Sequence, residues 1–357
     1  MTLRATKRPR PLRDTPDTLS GFASLTLPCF ARGSILTMDN ARCHHVTVIG
    51  EALIDLVPAG GDLVFSARPG GSPLNVAVGL SRLGVDTSMM ARLSRTAFGR
   101  ALRRYLVSES VDVSACPDTA EPATLAVVTL DESLDAVYDF YTKGTADWQW
   151  TPSELEQLPA ETTSVHFGSI ASWTEPGWRP IVGLAQRLRD TTEILVSYDP
   201  NIRPALCGDL ADTTAKVEQA VACSHLVKVS EEDLAWLYPG VPSATSAEAW
   251  LRAGPELVVV TSGPNGADGY TSGGIAVTSP GRPLQVADTV GAGDSFTSAL
   301  LVALADTGST SPGLLGRTPP GDLASALSFA VAASSITCTR TGADPPRAAE
   351  VEAVLAT

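Results

Sequence analysis

Basic side chains are scarce in this chain: 26 Lys and Arg stand against 39 Asp and Glu, a net charge of −13 over 357 residues. So acidic a protein is a poor partner for nucleic acid. Six cysteines (Cys29, Cys43, Cys116, Cys207, Cys223 and Cys338) include no C-x-x-C pair, which favours free thiols in a reducing cytoplasm over disulfides or zinc. His44, His45, His166 and His225 lack metal-ligand spacing. His166, inside an apolar run, reads as a satisfied core or rim histidine. No run approaches the roughly 20 apolar residues that span a bilayer, so no membrane partner is expected. G-x-x-x-x-G-K-[ST], a G-x-G-x-x-G after a strand, and G-x-S-x-G are all missing. A P-loop enzyme is thereby excluded, a dinucleotide-binding dehydrogenase disfavoured, and no nucleophile elbow remains.

What is present is 44% hydrophobic residues, enough for one large α/β domain or two smaller ones. Residues 1–44 are the basic exception, with seven Lys/Arg against three Asp/Glu. They read as a disordered N-terminal extension, since 1–17 are rich in Arg, Pro and Thr without apolar periodicity. Residues 21–30 faintly imitate a secretory signal, but Pro28 breaks the apolar run. Met38 offers an alternative start, shortly before the first strand at 46–49.

From there strands and helices alternate. Strands are expected at 46–49, 164–167, 193–198, 226–229 and 257–261, and at 124–130 and 136–141 joined by the acidic turn Asp131-Glu132-Ser133. Helices are expected at 75–83 (capped by Gly84), 178–189, 213–222 and 247–253. Such alternation builds a parallel sheet covered on both faces, with ligands beyond the carboxyl ends of the strands. Two regions break the rhythm, 57–69 and about 113–141, and read as a small β lid or as surface hairpins. Residues 308–321 read as a loop.

Asp288-Thr289-Val290-Gly291-Ala292-Gly293-Asp294 precedes an apolar run in which Phe296, Leu300 and Leu304 recur four apart. A helix starting there offers unpaired N–H groups and partial positive charge to a phosphate. Asp294 then stands as a base for an incoming hydroxyl, or simply as an acid that suits the helix dipole. Gly70-Gly71-Ser72-Pro73-Leu74-Asn75-Val76-Ala77 allows close backbone approach and an amide for sugar hydroxyls; by itself it also reads as a turn with an Asn cap.

In this order and some 200 residues apart, the two stretches resemble the hallmarks of the ribokinase-like (PfkB) carbohydrate kinases. Leu83-Gly84 and Phe98-Gly99 extend the likeness, which covers about residues 46–345. The resemblance implies a three-layer α/β/α sandwich with a mostly parallel central sheet and a small β lid, one kinase domain over 45–357. It implies ATP-dependent phosphorylation of a sugar hydroxyl, with Asp294 as general base and the N–H groups of Gly291, Ala292 and Gly293 as an anion hole. Asp55, Gly71 and Asn75 would hold the sugar, although Asp55 alone reads equally as a solvated loop acid.

Further positions follow from the same likeness. Asp199-Pro200-Asn201-Ile202-Arg203 and 140–147 resemble the fructokinase and 2-keto-3-deoxygluconate kinase branch. Arg203 is then a clamp for phosphate or substrate, or else a surface ion pair. Lys143 stands where that branch usually has Arg, which favours a neutral sugar. Ser230, Thr261, Gly263 and Gly266 match nucleotide positions. Glu232 and Asp233 match an acidic motif linked to Mg²⁺, which binds indirectly through phosphates and waters. Asp288 and the carbonyl of Val290 match part of a site for a K⁺-like cation. Ser94-Arg95-Thr96-Ala97 departs from the family pattern beside the sugar pocket. The expected substrate is fructose or a related ketohexose at a primary hydroxyl. The alternatives are a 2-keto-3-deoxygluconate or nucleoside kinase, or a non-catalytic sugar-binding protein of the same fold. A cytoplasmic protein, with room for a homodimer through the lid, completes the expectation.

Overall fold

A computed structural model describes residues 44–61, 63–130 and 136–357. The expected disordered extension up to residue 43, Met38, Cys29, Cys43 and the turn at 131–133 lie outside the described residues. The other four cysteines are free.

The first strands are β1 His45–Ile49, β2 Leu53–Pro58, β3 Phe65–Gly70, β4 Asp86–Met90, β5 Leu93–Ser94, β6 Asp118–Thr119, β7 Leu125–Leu130 and β8 Ala136–Tyr141. They continue as β9 Ser164–Gly168, β10 Leu195–Asp199, β11 Leu226–Ser230, β12 Leu257–Thr261, β13 Gly266–Thr271 and β14 Ala276–Pro280. Eight form the central sheet, in the order β14-β13-β12-β11-β10-β9-β1-β4. It is parallel from β12 to β4, and β13 and β14 add an antiparallel edge.

The three-layer reading holds, and β12 shows why. Leu257 and Val259 enter one core with the helices Ser72–Arg82, Ala292–Asp306 and Pro320–Cys338; Val258 and Val260 enter the other, with Trp178–Thr191, Leu210–Ala222 and Ser243–Ala253. Continuous apolar runs suit strands buried on both faces. The helix expected at 75–83 begins earlier, at Ser72, with Pro73 in its first turn where a missing N–H costs nothing.

The lid is a four-stranded sheet, β3-β2-β7-β8. Its expected boundaries need correction. It starts at Leu53 rather than 57, and 113–124 lie outside it: β6 pairs with β5, while Asp112 bridges to Ser88. Arg103 explains the second departure, since its guanidinium binds the carbonyls of Val113 and Cys116 and the Asp118 carboxylate, tying that segment to the helix Ala97–Ser108.

A second correction concerns apolar length. The 19-residue helix Pro320–Cys338, with a mean hydropathy of 1.3, is long and apolar enough to cross a membrane by length and composition alone. Half of its most apolar stretch is buried inside the fold, where the helix packs on the helix Ala292–Asp306.

Candidate active site

The carboxyl ends of β1, β9, β10, β11 and β12 open toward one edge of the sheet, and the start of the helix Ala292–Asp306 joins them there. Gly291 caps this helix at φ 77, and a Cβ on it would lie 2.6 Å from that of Ala343. Only glycine meets both demands. Ala292 donates its N–H to the carbonyl of Thr289 at 3.2 Å. The N–H groups of Gly293 and Asp294, in the first turn, lack a partner four residues back and remain for an anion. Of the expected anion-hole donors, Ala292 is therefore already engaged.

Asp294 is buried, and two residues of the opposing helix orient its carboxylate. The Ser72 hydroxyl donates to Oδ1 at 2.6 Å, and the Asn75 amide donates to Oδ2 at 2.8 Å. The helices approach closely because Gly79 carries no Cβ, which would stand 2.4 Å from Ser298 Oγ. Burial raises the Asp294 pKa; Ser72 and Asn75 oppose that, Asp199 adds to it and Lys228 counters it. Asn75, expected at the sugar, thus has its amide on Asp294, the expected base.

Asp55 lies on β2, at the root of the lid. Burial pushes its carboxyl up to about 6, with Arg203 opposing and Asp294 reinforcing. Asp55, Asp294 and Arg203 therefore share one electrostatic neighbourhood. Arg203 folds back on its own loop, donating to Asn201 Oδ1 at 2.7 Å and to the Ile202 carbonyl at 3.0 Å. Asn201 sits at φ 39, held by Asp199 Oδ1 at its N–H and by Ser169 at its amide. Gly71 caps the helix Ser72–Arg82 and leaves room for the carbonyl of Glu51. Lys143 stands exposed in the turn after β8, and among the described residues no ion pair ties it to this group.

Among the residues expected at the nucleotide, Ser230 accepts from the N–H of Asp233 at 2.9 Å and so caps the helix Glu231–Leu237. Glu232 is exposed, whereas Asp233 is buried, accepts from the N–H of Ile202 and is pushed up to about 6 by burial and Asp199. The fold therefore brings Asp233, rather than Glu232, into the cluster. Thr261 ends β12, and Gly263, at φ 51, has open space where a side chain would be. Gly266 is demanded by packing, since a Cβ would meet the Ser279 carbonyl at 2.1 Å. Asp288 accepts from the N–H groups of Val290 and Gly342, tying the glycine turn to the loop that follows the helix Pro320–Cys338.

Four further residues belong to this cluster without a role assigned from the sequence. Ser72 lay inside a quoted motif without a role. Asp199 and Lys228 form a buried ion pair at 3.0 Å, and Thr297 donates to the Gly293 carbonyl at 3.0 Å. A lysine between Val227 and Val229 in an apolar strand was the available signal, because a charge buried there needs a partner. His166 meets expectation, buried and paired with Ser197.

The model of the pfkB family of carbohydrate kinases matches residues 44–349. A fructokinase of Rhizobium leguminosarum bv. trifolii is 36% identical over 258 residues, covering 71% of this chain and 78% of that protein. The fold resembles that of a Xylella fastidiosa fructokinase with bound ATP, at a TM-score of 0.80 and 24% identity over 87% of this chain and 98% of the other. A double mutant of a Vibrio cholerae O395 fructokinase, bound to fructose, ADP and potassium, aligns at a TM-score of 0.77 and 27% identity, covering 88% and 99%.

Proposed function

The chain belongs to the pfkB family of carbohydrate kinases, and from that premise we propose that it phosphorylates fructose, or a ketohexose of similar shape, at a primary hydroxyl with ATP as donor. The observation that carries the reading is a buried carboxylate, Asp294, in the first turn of a helix, held by Ser72 and Asn75 and near enough to Asp55 to act on its charge, as Arg203 also does. Likeness to fructokinases supports the choice of sugar.

Asp55 would accept from sugar hydroxyls, with Arg203 and Gly71 completing the pocket wall. Asp294 would take the proton of the attacking hydroxyl, and the Ser72 and Asn75 donors would aim its oxygens. The first-turn N–H groups would meet charge developing on the transferring phosphoryl oxygens, where positioning and electrostatics carry most of the catalysis. Gly263 and Thr261 would line the nucleotide, and Ser230 would act through the helix that it caps. Mg²⁺, when bound, would neutralise phosphate charge. Among the described residues no group of three or more metal-ligating side chains occurs; Asp233 as one nearby acid fits a metal held mainly by phosphates and waters. Asp288 and the Val290 carbonyl would hold a K⁺-like ion beside the glycine turn. The exposed Leu63, Val64 and Tyr141 of the lid support a homodimer through that sheet.

An ADP-release assay across fructose, ribose, 2-keto-3-deoxygluconate and adenosine tests the assignment. Fructose should give the highest kcat/KM, by about tenfold or more. A preference for adenosine or 2-keto-3-deoxygluconate would overturn it.

A further inference from the structure

The ion pair beneath the glycine turn has no part in the chemistry described so far. Lys228 is 5% exposed and Asp199 2% exposed; Asp199 ends β10, and Lys228 stands mid-strand in the adjacent parallel β11. Replacing a buried ion pair by apolar residues is often neutral or stabilising, so stability alone explains its presence poorly. Its location is more telling. A Cβ on Gly293 would stand 3.0 Å from Lys228 Nζ, so the ammonium lies directly against the first turn of the helix. Thr297 spans the same gap, 3.0 Å from the Gly293 carbonyl and 3.5 Å from Asp199 Oδ2.

The charges that face Asp294 come from three strands: Asp55 on β2, Asp199 on β10 and Lys228 on β11. Asp233 acts on Lys228 from the helix Glu231–Leu237, and Arg203 acts on Asp55. His166 on β9, beneath the pair, is neutral, because burial lowers it to about 4. Lys228 is thus the cation directed at both the base and the turn. Burial alone would lower its own pKa, but Asp199, Asp233 and Asp294 together hold it above the usual lysine value.

We propose that Lys228 and Asp199 are positioning residues for phosphoryl transfer: the ammonium, pinned under Gly293, supplies positive charge where phosphoryl charge develops, and the pair sets from both signs the field at Asp294. This rests on Asp294 being the base, as proposed above. The two residues then have opposite effects on the same group. Removing Lys228 takes away an attraction that favours the Asp294 carboxylate; removing Asp199 takes away a repulsion that opposes it.

The test is the pH dependence of kcat/KM for fructose in Lys228→Met, Asp199→Asn, Lys228→Arg and the Asp199→Asn/Lys228→Met double variant, beside Asp294→Asn. Lys228→Met should lower kcat by about a hundredfold and move the acid limb up by about one pH unit. Asp199→Asn should move it down. Lys228→Arg should leave it in place. The double variant, free of a lone buried charge, keeps the test alive should Lys228→Met not fold. Its limb should return toward the parent while kcat stays depressed. Limbs that do not move, or move together, would sink the proposal while Asp294→Asn is inactive, as would full recovery of kcat in the double variant. An active Asp294→Asn would instead remove the base assignment itself.

Discussion

The two ends of the site are built differently. The proposed phosphoryl end is one helix terminus wedged between two other helices, with its carboxylate buried and both oxygens given donors by Ser72 and Asn75. The proposed sugar end hangs on a four-stranded sheet, with Asp55 on β2, Arg203 on a loop and Lys143 exposed in the turn after β8. The first is held by close backbone packing, the second by electrostatic neighbourhood. Rigid preorganisation suits charge stabilisation in a transition state, whereas a sheet open on one side suits substrate entry and closure.

Asp294→Asn attacks the rigid end most directly. Turnover should fall about 10³- to 10⁴-fold, with ATP affinity changed only a few-fold, as steady-state assays and nucleotide titration would register. If turnover survives, the contrast between the two ends is lost.

Asp55→Asn probes the other end. Fructose KM should rise about 10- to 100-fold, the worth of a charged hydrogen bond, with a smaller change in kcat. Asn75→Ala discriminates further, because its amide lies on the base. A kcat loss exceeding the KM change would place Asn75 with the phosphoryl end, and the reverse would return it to the sugar.

The wall between the two ends contains a third test. Glu51 is fully buried behind Gly71, and burial raises its carboxyl to about 7, with Asp147 nearby adding to the rise. An unfolded glutamate titrates near 4.3, so between about pH 4 and 7 the folded state holds the extra proton and stability declines as pH rises. Glu51→Gln should therefore raise Tm by about 2–4 °C at pH 8 and scarcely change it at pH 5. Thermal melts at the two pH values decide; an equal shift at both would remove the ionisation argument. Smallest of all, Lys143→Ala should alter fructose KM by less than about threefold, as for most exposed charges. A larger effect would show that the turn after β8 closes onto the substrate.

Much of the phosphoryl end was legible in order along the chain. Gly291 to Asp294 followed by an apolar run of period four announces a helix start, and the strand at 257–261 appeared at its observed limits. The lid was legible only in part, because the segment at 113–124 has strand-like composition but is captured by Arg103. The edge strands β13 and β14 were not anticipated: Gly266-Ala267-Asp268-Gly269 carries little strand signal, and pairing with β12 supplies what local preference lacks. Ser72, Asp199 and Lys228 were visible as letters but not as a site.

The sequence by itself determined the alternating α/β frame, the glycine turn before the helix Ala292–Asp306 and the presence of an acid in its first turn. These follow from backbone preference and apolar spacing, which act over a few residues. The tertiary structure decided which groups aim that acid, since Ser72 and Asn75 lie 222 and 219 residues away from it. It also decided that Asp233 rather than Glu232 turns inward, and that Lys228 lies under Gly293. Desolvation and charge pairing depend on what surrounds a side chain in space, and that is set only when distant segments pack.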